Sequence, residues 1–534
     1  MGTSFVVNLN VHMHRNVYYL YIYSRLLVLY SFSLSRIPIS YKWINWGIHT
    51  LRYGIYIIKH DMTTRYSAHA FASTSSTACS SSFSSSSSRR HRGISSSSSP
   101  RLFSPRRRQQ HRIQNTGKAL SNDYELTAIE EISIDGSANP TEASPFPLLS
   151  KSQPLYTHVS PGVCDAHASD VACRQAWVVL LRSQHPSHRA NARRTKDMFH
   201  GEDESFLERY QEWEEEYDAF LSRVESDAYE GGTLLNVVSE KEKLLRRYGL
   251  PDLFRAVKAA ENALCSDVLF QSLRDDVDNS EDSLKAAIEI ALAGNLFDAG
   301  AAQAVQNVVG GNAFKGDSNK FAFKNSEDLQ FAFEASRKRV RNSEWLCDDL
   351  NELRANEYDR VCVFCDNAGA DVLGMTLLAR ELAKRTKGAK VALVANESAA
   401  LNDVTINELE EFYRACEEHD PDHLRLYREN GKIALLSSGQ ASTLLNLNAT
   451  GKDINDWVKR EDTVGGVDME QGEKLRWLVV LDGMGRSLES NWECGKYVQP
   501  HVDVLNLAMV KSEINAKRLG ANVYDCVCKL SNSR

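Results

Sequence analysis

Residues 358–405, YDRVCVFCDNAGADVLGMTLLARELAKRTKGAKVALVANESAALNDVT, contain the pattern that decides the fold. The apolar run 360–365 is short and rich in β-forming residues, so it predicts a strand buried on both faces. Apolar residues then recur at helical spacing over 371–385, and Gly388 follows as a helix stop. A second apolar run, 391–395, predicts the next strand. The stretch is therefore a strand–helix–strand unit of a parallel sheet.

Polar side chains follow both predicted strands, at the edge where parallel sheets bind ligands. Asp366 and Asn367 come directly after the first strand, and Asp403 comes shortly after the second. Carboxylate and amide oxygens suit magnesium or manganese, and with less preference cobalt or nickel. The spacing is compatible with a divalent cation held by these three residues. The simpler alternative is a turn in which Asp366 and Asn367 only cap the following helix.

Four motifs appear in a fixed order along the second half of the chain. They are DNAGAD at 366–371, VANESAALNDVT at 394–405, LDGMGRSLESN at 481–491 and AMVK at 508–511. Together they resemble the metal-dependent damage-control phosphatase family, in particular the branch with the C-terminal domain of pantothenate kinase 4 and its stand-alone plant relatives. The resemblance runs from about residue 152 to residue 529. It implies a metal-dependent phosphatase that acts on phosphate monoesters of small metabolites, such as phosphopantetheine-type compounds or sugar phosphates.

The resemblance also implies roles for individual residues. The catalytic residues are expected to be Asp366, Asp403, Arg486 and Lys511, and the metal ligands Asp366, Asn367 and Asp403. The substrate-binding residues are expected to be Asn396, Ser398, Gly483, Gly485, Asn295 and Asp298. For Asn396 and Ser398, which follow the second predicted strand, the alternative role is to orient the metal ligands. Gly483 and Gly485 would let backbone N–H groups approach a phosphate, while Arg486 offers a fork and Lys511 a point charge. From spacing alone, Arg486 and Lys511 would be ordinary surface charges.

Asn295 and Asp298 lie in the stretch AGNLFDAG at 293–300. They are three residues apart and would share one face of a helix. The resemblance implies that they line the active-site cleft. The alternative is local: Asn295 caps the following helix, and Asp298 lies in its first turn.

A few positions depart from the family pattern. Ala368 stands where relatives more often carry serine, and Asp482 stands where glutamate is usual. The segment 488–490 also lacks the threonine and histidine that are common there. These changes leave the expected metal ligands in place. They put the identity of the substrate and the strength of the activity in doubt.

The overall composition is that of a mildly acidic protein with a formal net charge of -7, which gives no reason to expect a nucleic-acid partner. Eleven cysteines match no disulfide framework, so free thiols are expected. Cys362 and Cys365 fall in a predicted strand and point to opposite faces, which favours buried structural thiols over a zinc or redox site. The sequence does not determine the oligomeric state.

Residues 1–150 form a leader rich in serine and arginine, without the periodicity that a packed core requires. The apolar segment 17–40 is interrupted by Arg25, so stable membrane insertion is not expected. Composition changes at Met62, which is typical of a transit peptide for a plastid or mitochondrion, with residues 1–61 an over-extended gene model. The alternative is a disordered tail on a cytoplasmic protein.

The remaining chain predicts a helical subdomain over 151–345 and an α/β phosphatase core over 346–534. Helices are expected at 203–224, 234–247, 252–264 and 283–296. Further strands are expected at 432–436, 477–481 and 522–528. We expect a polar surface excursion at 446–475 and a helix over 504–519 that carries Lys511. The fold class is therefore a Rossmann-like three-layer α/β/α core with a helical N-terminal subdomain.

Metal-assisted hydrolysis without a covalent enzyme intermediate is the expected reaction. The cation would hold a phosphate oxygen and lower the pKa of water to about 7. The chain has neither a nucleophile elbow nor a P-loop, which argues against an acyl hydrolase or a kinase. One alternative is a Rossmann-like nucleotide-binding enzyme or methyltransferase, although DNAGAD places aspartate where a glycine finger is needed. The other is a non-catalytic scaffold that retains the fold.

Overall fold

The computed structural model describes residues 143–151, 156, 171–226, 233–296, 326–385, 388–464 and 474–533. Within these ranges, seven strands form one sheet. The strands are β1 (Trp345–Asp348), β2 (Arg360–Phe364), β3 (Lys390–Ala395), β4 (Ile433–Ser437), β5 (Trp477–Asp482), β6 (Val502–Met509) and β7 (Cys526–Asn532). The helices are α1 (Val171–Ser183), α2 (His185–Phe199), α3 (Phe206–Glu225), α4 (Leu234–Arg247), α5 (Arg255–Leu264), α6 (Phe270–Asp278), α7 (Ser283–Leu296), α8 (Ser326–Asn342), α9 (Leu350–Ala355), α10 (Ala370–Arg385), α11 (Ile406–His419), α12 (Leu426–Glu429), α13 (Lys452–Val464) and α14 (Glu513–Leu519).

The strand order is β1-β7-β6-β5-β2-β3-β4. Neighbouring strands are parallel except for β6 and β7, which are antiparallel. Five strands from β6 to β4 therefore point the same way, and their carboxyl ends share one edge. Strand β2 lies between β5 and β3, so the residues that follow it emerge at the centre of that edge. The predicted α/β fold with a parallel sheet is confirmed.

The two faces of β2 pack into different hydrophobic layers. On one face, Val363 packs with the apolar residues of α7 and α10. On the other, Cys362 and Phe364 pack with those of α13 and with the segment 143–150. The ring of Phe146 meets that of Phe364 edge-on, with 5.5 Å between centroids. Successive side chains of a strand point to opposite faces, so this alternation produces three layers.

The predicted helix over 504–519 is wrong. Its first part is β6, and only residues from Glu513 onward form a helix. Every residue of β6 is buried, because the strand is interior to the sheet and covered on both faces. Such a strand reads as a continuous apolar run, which periodicity does not separate from a buried helix. Lys511 consequently lies in the short connection after β6.

The segment 446–475 is also more ordered than predicted. It contains α13, whose Trp457 and Val458 are buried against the sheet. Residues 143–150, which the sequence assigned to the leader, pack on the same face. The rest of the predicted leader lies outside the described residues. The helices predicted at 203–224, 234–247 and 283–296 are confirmed as α3, α4 and α7.

The cysteines in the described ranges are free thiols, as predicted. Cys362 and Cys365 are fully buried, and burial raises the pKa of both thiols. They belong to different hydrophobic layers, as expected for opposite faces of a strand. Within the described part of the chain, a search for helices long and apolar enough to cross a membrane finds none.

Helices α1 to α5 surround an aromatic core of their own. Trp213 and Tyr217 stack at its centre, with 5.3 Å between ring centroids. His188 is buried against Trp213 and Phe254, at centroid distances of 5.9 Å and 5.8 Å. Burial, together with the nearby charge of Lys241, lowers the pKa of His188 well below its ordinary value. The folded subdomain therefore holds this histidine neutral.

Helices α7 and α10 approach each other through glycines. A Cβ atom on Gly374 would lie 2.6 Å from the Cα of Ala291, and one on Gly294 would lie 2.2 Å from the carbonyl oxygen of Ala370. Both distances are shorter than real Cβ contacts, so only hydrogen fits at either position. This close packing brings the end of α7 against the start of α10, beside the carboxyl edge of the sheet.

We predict that Gly374→Ala destabilises the protein by about 1–3 kcal/mol, because the added methyl group forces the backbones of α7 and α10 apart. Chemical denaturation followed by circular dichroism measures the change in free energy of unfolding. Gly201→Ala is the control, since no atom lies within 4 Å of its Cβ position. Equal stability of the two variants would contradict the close packing.

We predict that acidification below pH ~6.5 weakens the protein partly through His188. The unfolded state takes up a proton there while the folded state does not. Stability present above the unfolded pKa is therefore lost as pH falls, by up to ~1.4 kcal/mol per pH unit. Urea denaturation at about pH 7.5 and about pH 5.5 should show a smaller loss for His188→Gln than for the unmodified chain. Identical losses would contradict a neutral buried His188.

Candidate active site

Asp366, Asp403 and Arg486 meet at the carboxyl edge of the sheet. They follow β2, β3 and β5, and all three are buried. The guanidinium of Arg486 donates to Oδ1 of Asp366 and, at 2.9 Å, to Oδ2 of Asp403. Backbone hydrogen bonds join the two exit loops, from Val404 N–H to the Asp366 carbonyl (2.9 Å) and from Ala368 N–H to the Asn402 carbonyl (3.0 Å). Both carboxylates therefore border one common space.

Asn367 is held from both sides. Its Nδ2 donates to Oδ2 of Asp366 at 3.0 Å and to Oδ2 of Asp371 at 2.9 Å. Its backbone N–H also donates to Asp371, at 3.2 Å. These contacts fix which end of the amide is nitrogen, and they leave the carbonyl oxygen Oδ1 as the end that can bind a cation.

Asp371 is a site residue that sequence reasoning missed. It is 1% exposed in the first turn of α10, and its Oδ1 has no hydrogen-bond partner among the described residues. Burial, and then the charge of Asp366, raise its pKa to about 7. The DNAGAD motif contains this residue, but an aspartate in the first turn of a helix is also explained by the helix dipole alone.

Asp482 and Glu489 add two more buried carboxyl groups. Asp482 accepts the backbone N–H of Asp366 on Oδ2 at 3.1 Å, while its Oδ1 has no partner in the described part of the chain. Burial, with the charges of Asp371 and Asp366, raises the pKa of Asp482 well above its usual range. Burial raises the pKa of Glu489 to about 7, although Asn515 Nδ2 donates to its Oε1 at 2.7 Å.

The site holds more carboxyl groups than basic groups. Arg486 is buried among the carboxyl groups, and Lys511 lies near enough to lower the pKa values of Asp371 and Glu489 in part. Burial alone would lower the pKa of Arg486, but Asp403 and Asp366 outweigh it and raise that pKa. The surplus of carboxyl groups and the unpartnered oxygens of Asp371 and Asp482 fit a cation of high charge.

The two glycines after β5 serve the protein's own packing. Gly483 has a φ of 77°, and a Cβ there would lie 1.9 Å from Oδ2 of Asp366. A Cβ on Gly485 would lie 2.3 Å from the carbonyl oxygen of Thr443. Their predicted place beside a phosphate stays a prediction. In the structure, Gly483 lets the turn that carries Arg486 pass close to Asp366, and Gly485 lets it pass close to Thr443.

Asn396 and Ser398 follow β3 on the same edge. The buried Asn396 donates from Nδ2 to Oδ2 of Asp403 at 3.1 Å and to the carbonyl of Ser442 at 3.0 Å. Asn396 thus fixes the Asp403 carboxylate. Ser398 is half-buried, and its backbone N–H lies 3.4 Å from the carbonyl of Gln440.

Asn295 joins α7 to the site. Its Nδ2 donates to Asp371 at 3.2 Å, and its Oδ1 accepts the backbone N–H of Met509 at 3.0 Å. The main-chain carbonyl of Asn295 accepts a hydrogen bond from Lys511 Nζ at 2.9 Å. Both polar atoms of its side chain thus contact protein groups. These contacts indicate a positioning role. Asp298, its predicted neighbour, lies outside the described residues.

The helical subdomain holds both ligand loops through α5. Lys258 is fully buried, and its Nζ lies 2.9 Å from carboxylate oxygens of both Asp252 and Glu408 and 3.4 Å from the carbonyl of Asp403. Asn262, one turn along, accepts the backbone N–H of Gly369 at 2.7 Å. The loops that follow β2 and β3 are therefore both attached to one helix.

No three His, Cys, Asp or Glu side chains are grouped as metal ligands within the described ranges. The predicted set is different in kind, with two carboxylates and one amide. Asp366, Asn367 and Asp403 are brought together, and an antiparallel bridge pairs Asn367 with Asp403. Their role as ligands stays a prediction.

We predict that Lys258→Met destabilises the protein by about 3 kcal/mol, because Asp252 and Glu408 lose their buried counter-charge. Chemical denaturation measures the effect. Lys285→Met is the matched control, since that lysine is half-exposed and 3.9 Å from Glu289, and a change within ~0.5 kcal/mol is expected. A small effect of Lys258→Met would show that α5 does not hold the loops.

Residues 185–527 match the family model of the damage-control phosphatase ARMT1-like domain. A damage-control phosphatase of Arabidopsis thaliana is 30% identical over 298 residues, which cover 54% of this chain and 70% of that protein. Pantothenate kinase 2 of the same plant is 30% identical over 412 residues, 72% of this chain and 41% of that protein. The 4'-phosphopantetheine phosphatase of Mus musculus is 26% identical over 366 residues, 60% of this chain and 42% of that protein.

This chain thus spans less than half the length of the last two relatives. A crystal structure of a DUF89 family protein from Pyrococcus horikoshii aligns with a TM-score of 0.42 and 14% identity, over 68% of this chain and 98% of that one. The family model covers well over half of the sequence, so the resemblance carried by the four motifs is confirmed. The chain belongs to the family of ARMT1-like damage-control phosphatase domains.

Proposed function

We propose that this damage-control phosphatase hydrolyses phosphate monoesters of small metabolites with the help of a divalent cation. The observation that carries the proposal is the meeting of Asp366, Asp403 and Arg486 in one buried space at the carboxyl edge of the sheet. Family membership supports the class of reaction. The phosphopantetheine phosphatase among the relatives supports a substrate of that kind, with sugar phosphates as the second candidate class.

The residues present fit such a cation. Asp366 and Asp403 would supply carboxylate oxygens, and Asn367 would supply Oδ1, the end of its amide left over by the Nδ2 contacts. Hard oxygen ligands of this type suit manganese, magnesium, cobalt or nickel. The excess of buried carboxyl groups favours a cation with more than one charge.

When bound, the cation would supply Lewis-acid activation of the phosphate and of the attacking water. Arg486 and Lys511 bring fixed positive charge to the same edge, where negative charge develops on the phosphoryl group. Groups of this kind contribute ~2.7–4 kcal/mol each to transition-state stabilisation in comparable settings. We assign the uptake of the proton of the attacking water to the Glu489 carboxyl group, because burial raises its pKa to about 7.

The protein positions these groups through residues that need not touch the substrate. Asp371 orients the Asn367 amide, and Asn396 holds the Asp403 carboxylate. The main-chain carbonyl of Asn295 accepts a hydrogen bond from Lys511 Nζ, and the side chain of Asn295 donates one to Asp371. We assign Asn295 and Asn396 to positioning, while Ser398 remains a proposed substrate contact.

No observation favours a nucleotide-binding enzyme or methyltransferase. A dinucleotide site of the Rossmann type needs the start of the helix after the first strand to be open to a pyrophosphate. In this chain Asp371 fills that place with a buried carboxyl group. An anionic ligand there would meet charge of its own sign.

We predict that Asp366→Asn lowers metal-dependent hydrolysis of p-nitrophenyl phosphate by about 100-fold or more, because one charged ligand becomes neutral. Phosphate release with manganese, magnesium, cobalt and nickel measures the effect, and circular dichroism checks the fold. Asp359→Asn is the matched control, since Asp359 lies directly before β2, at the end of the strand opposite to Asp366, where its Oδ2 accepts the backbone N–H of Arg476 at 2.8 Å.

Full activity of Asp366→Asn would contradict the assignment of Asp366 as a metal ligand. Absence of phosphate release and of metal uptake in the unmodified chain would instead support the non-catalytic scaffold. A panel of phosphopantetheine compounds and sugar phosphates, each tested with the four metals, separates the two candidate substrate classes.

A further inference from the structure

Arg486 lies between the two carboxylates that are proposed to hold the cation. It is carried by the helical turn Met484–Glu489, directly after Gly483 at the end of β5. Its two terminal nitrogens reach different partners, Nη1 to Asp366 and Nη2 to Asp403. All three side chains are less than a tenth exposed. The guanidinium is therefore the counter-charge of both carboxylates at once.

Arg486 keeps its charge in this position. A guanidinium is not deprotonated at any pH at which the protein is folded. The carboxylates can therefore exchange Arg486 for another cation only if the side chain is displaced.

A divalent ion and the guanidinium both bind to the carboxylate oxygens of Asp366 and Asp403. Each needs the oxygens of Asp366 and Asp403 to lose water, and like charges repel strongly in a buried site. Arg486 occupies one oxygen of each carboxylate, Oδ1 of Asp366 and Oδ2 of Asp403, so a cation that uses these oxygens has to displace the guanidinium. The ion pairs of Arg486 with Asp366 and Asp403 therefore lower the affinity of the site for a cation.

We infer that Arg486 sets the affinity of the metal site, because it competes with the divalent cation for Asp366 and Asp403. The inference rests on the proposed function, which supplies the cation. Displacement of Arg486 costs the same whichever ion arrives, so it raises every dissociation constant by one factor and leaves the order of the metals unchanged. Ions that bind weakly, such as magnesium, then lose occupancy before those that bind tightly, such as cobalt and nickel.

Displacement also links the cation to the substrate. The guanidinium released from the carboxylates keeps its charge and its forked donors, which match the oxygens of a phosphate. The same residue thus pairs with the carboxylates when no cation is bound and binds the phosphate when a cation takes its place.

Calorimetric titration of the full chain with manganese chloride and with magnesium chloride, after removal of metal by EDTA, tests the inference. Arg486→Gln removes the competing charge and keeps a polar side chain. We expect its dissociation constants for both metals to fall by at least about tenfold, the value of ~1.4 kcal/mol of lost competition. Arg360→Gln is the matched control, because Arg360 is a buried arginine paired with Glu461 at 3.1 Å at the other end of β2.

A second readout uses thermal unfolding with EDTA and with manganese. Without metal, Arg486→Gln should melt below the unmodified chain, because two buried carboxylates lose their counter-charge. Manganese should raise the melting temperature of Arg486→Gln more than that of the unmodified chain. For Arg360→Gln we expect unchanged dissociation constants and a metal-induced shift equal to that of the unmodified chain.

If Arg486→Gln does not fold, Arg486→Lys replaces it in both measurements. Lysine keeps the charge but has no fork to bridge both carboxylates, so its dissociation constants should also fall below those of the unmodified chain. Unchanged or weaker metal binding by the folded variants overturns the inference and leaves the proposed function standing. No metal binding by any of these proteins overturns the metal dependence itself, and the inference with it.

Discussion

The arrangement of this site depends on one electrostatic constraint: carboxyl groups removed from water need positive charge beside them. Asp366 and Asp403 satisfy it by sharing the guanidinium of Arg486. Asp371 and Asp482 satisfy it less completely, since each keeps one oxygen without a hydrogen-bond partner in the described part of the chain. A surplus of buried carboxyl groups destabilises a protein that binds nothing there, but it suits a site that takes up a cation.

The fold supplies the geometry that this constraint requires. Three neighbouring parallel strands, β5, β2 and β3, end at one edge and present their loops side by side. Gly483 lets the turn after β5 approach Asp366. Side chains of helix α5 form hydrogen bonds with the loops after β2 and β3. The helical subdomain is consequently a structural part of the active site as well as the segment that precedes the core.

Much of this could be predicted from the sequence, because buried parallel strands and amphipathic helices leave strong patterns. Asp366 and Asn367 were identifiable because they directly follow an apolar strand, and Asp403 because it comes shortly after the next one. Asp371 was not, since an aspartate at a helix start has an ordinary explanation. Strand β6 was mistaken for a helix because burial on both faces erases alternation. The ion pairs of Arg486 and Lys258 join residues up to 150 positions apart, and no local pattern encodes them.

The place of β7 has a consequence for the order in which the molecule can assemble. This strand is the last of the described strands along the chain, yet it lies inside the sheet, antiparallel to β6 and parallel to β1. During translation, β1 has no partner in the sheet until residues 526–532 have left the ribosome. Until then, β6 presents an unpaired edge with apolar side chains, the kind of surface that chaperones bind and that aggregation exploits.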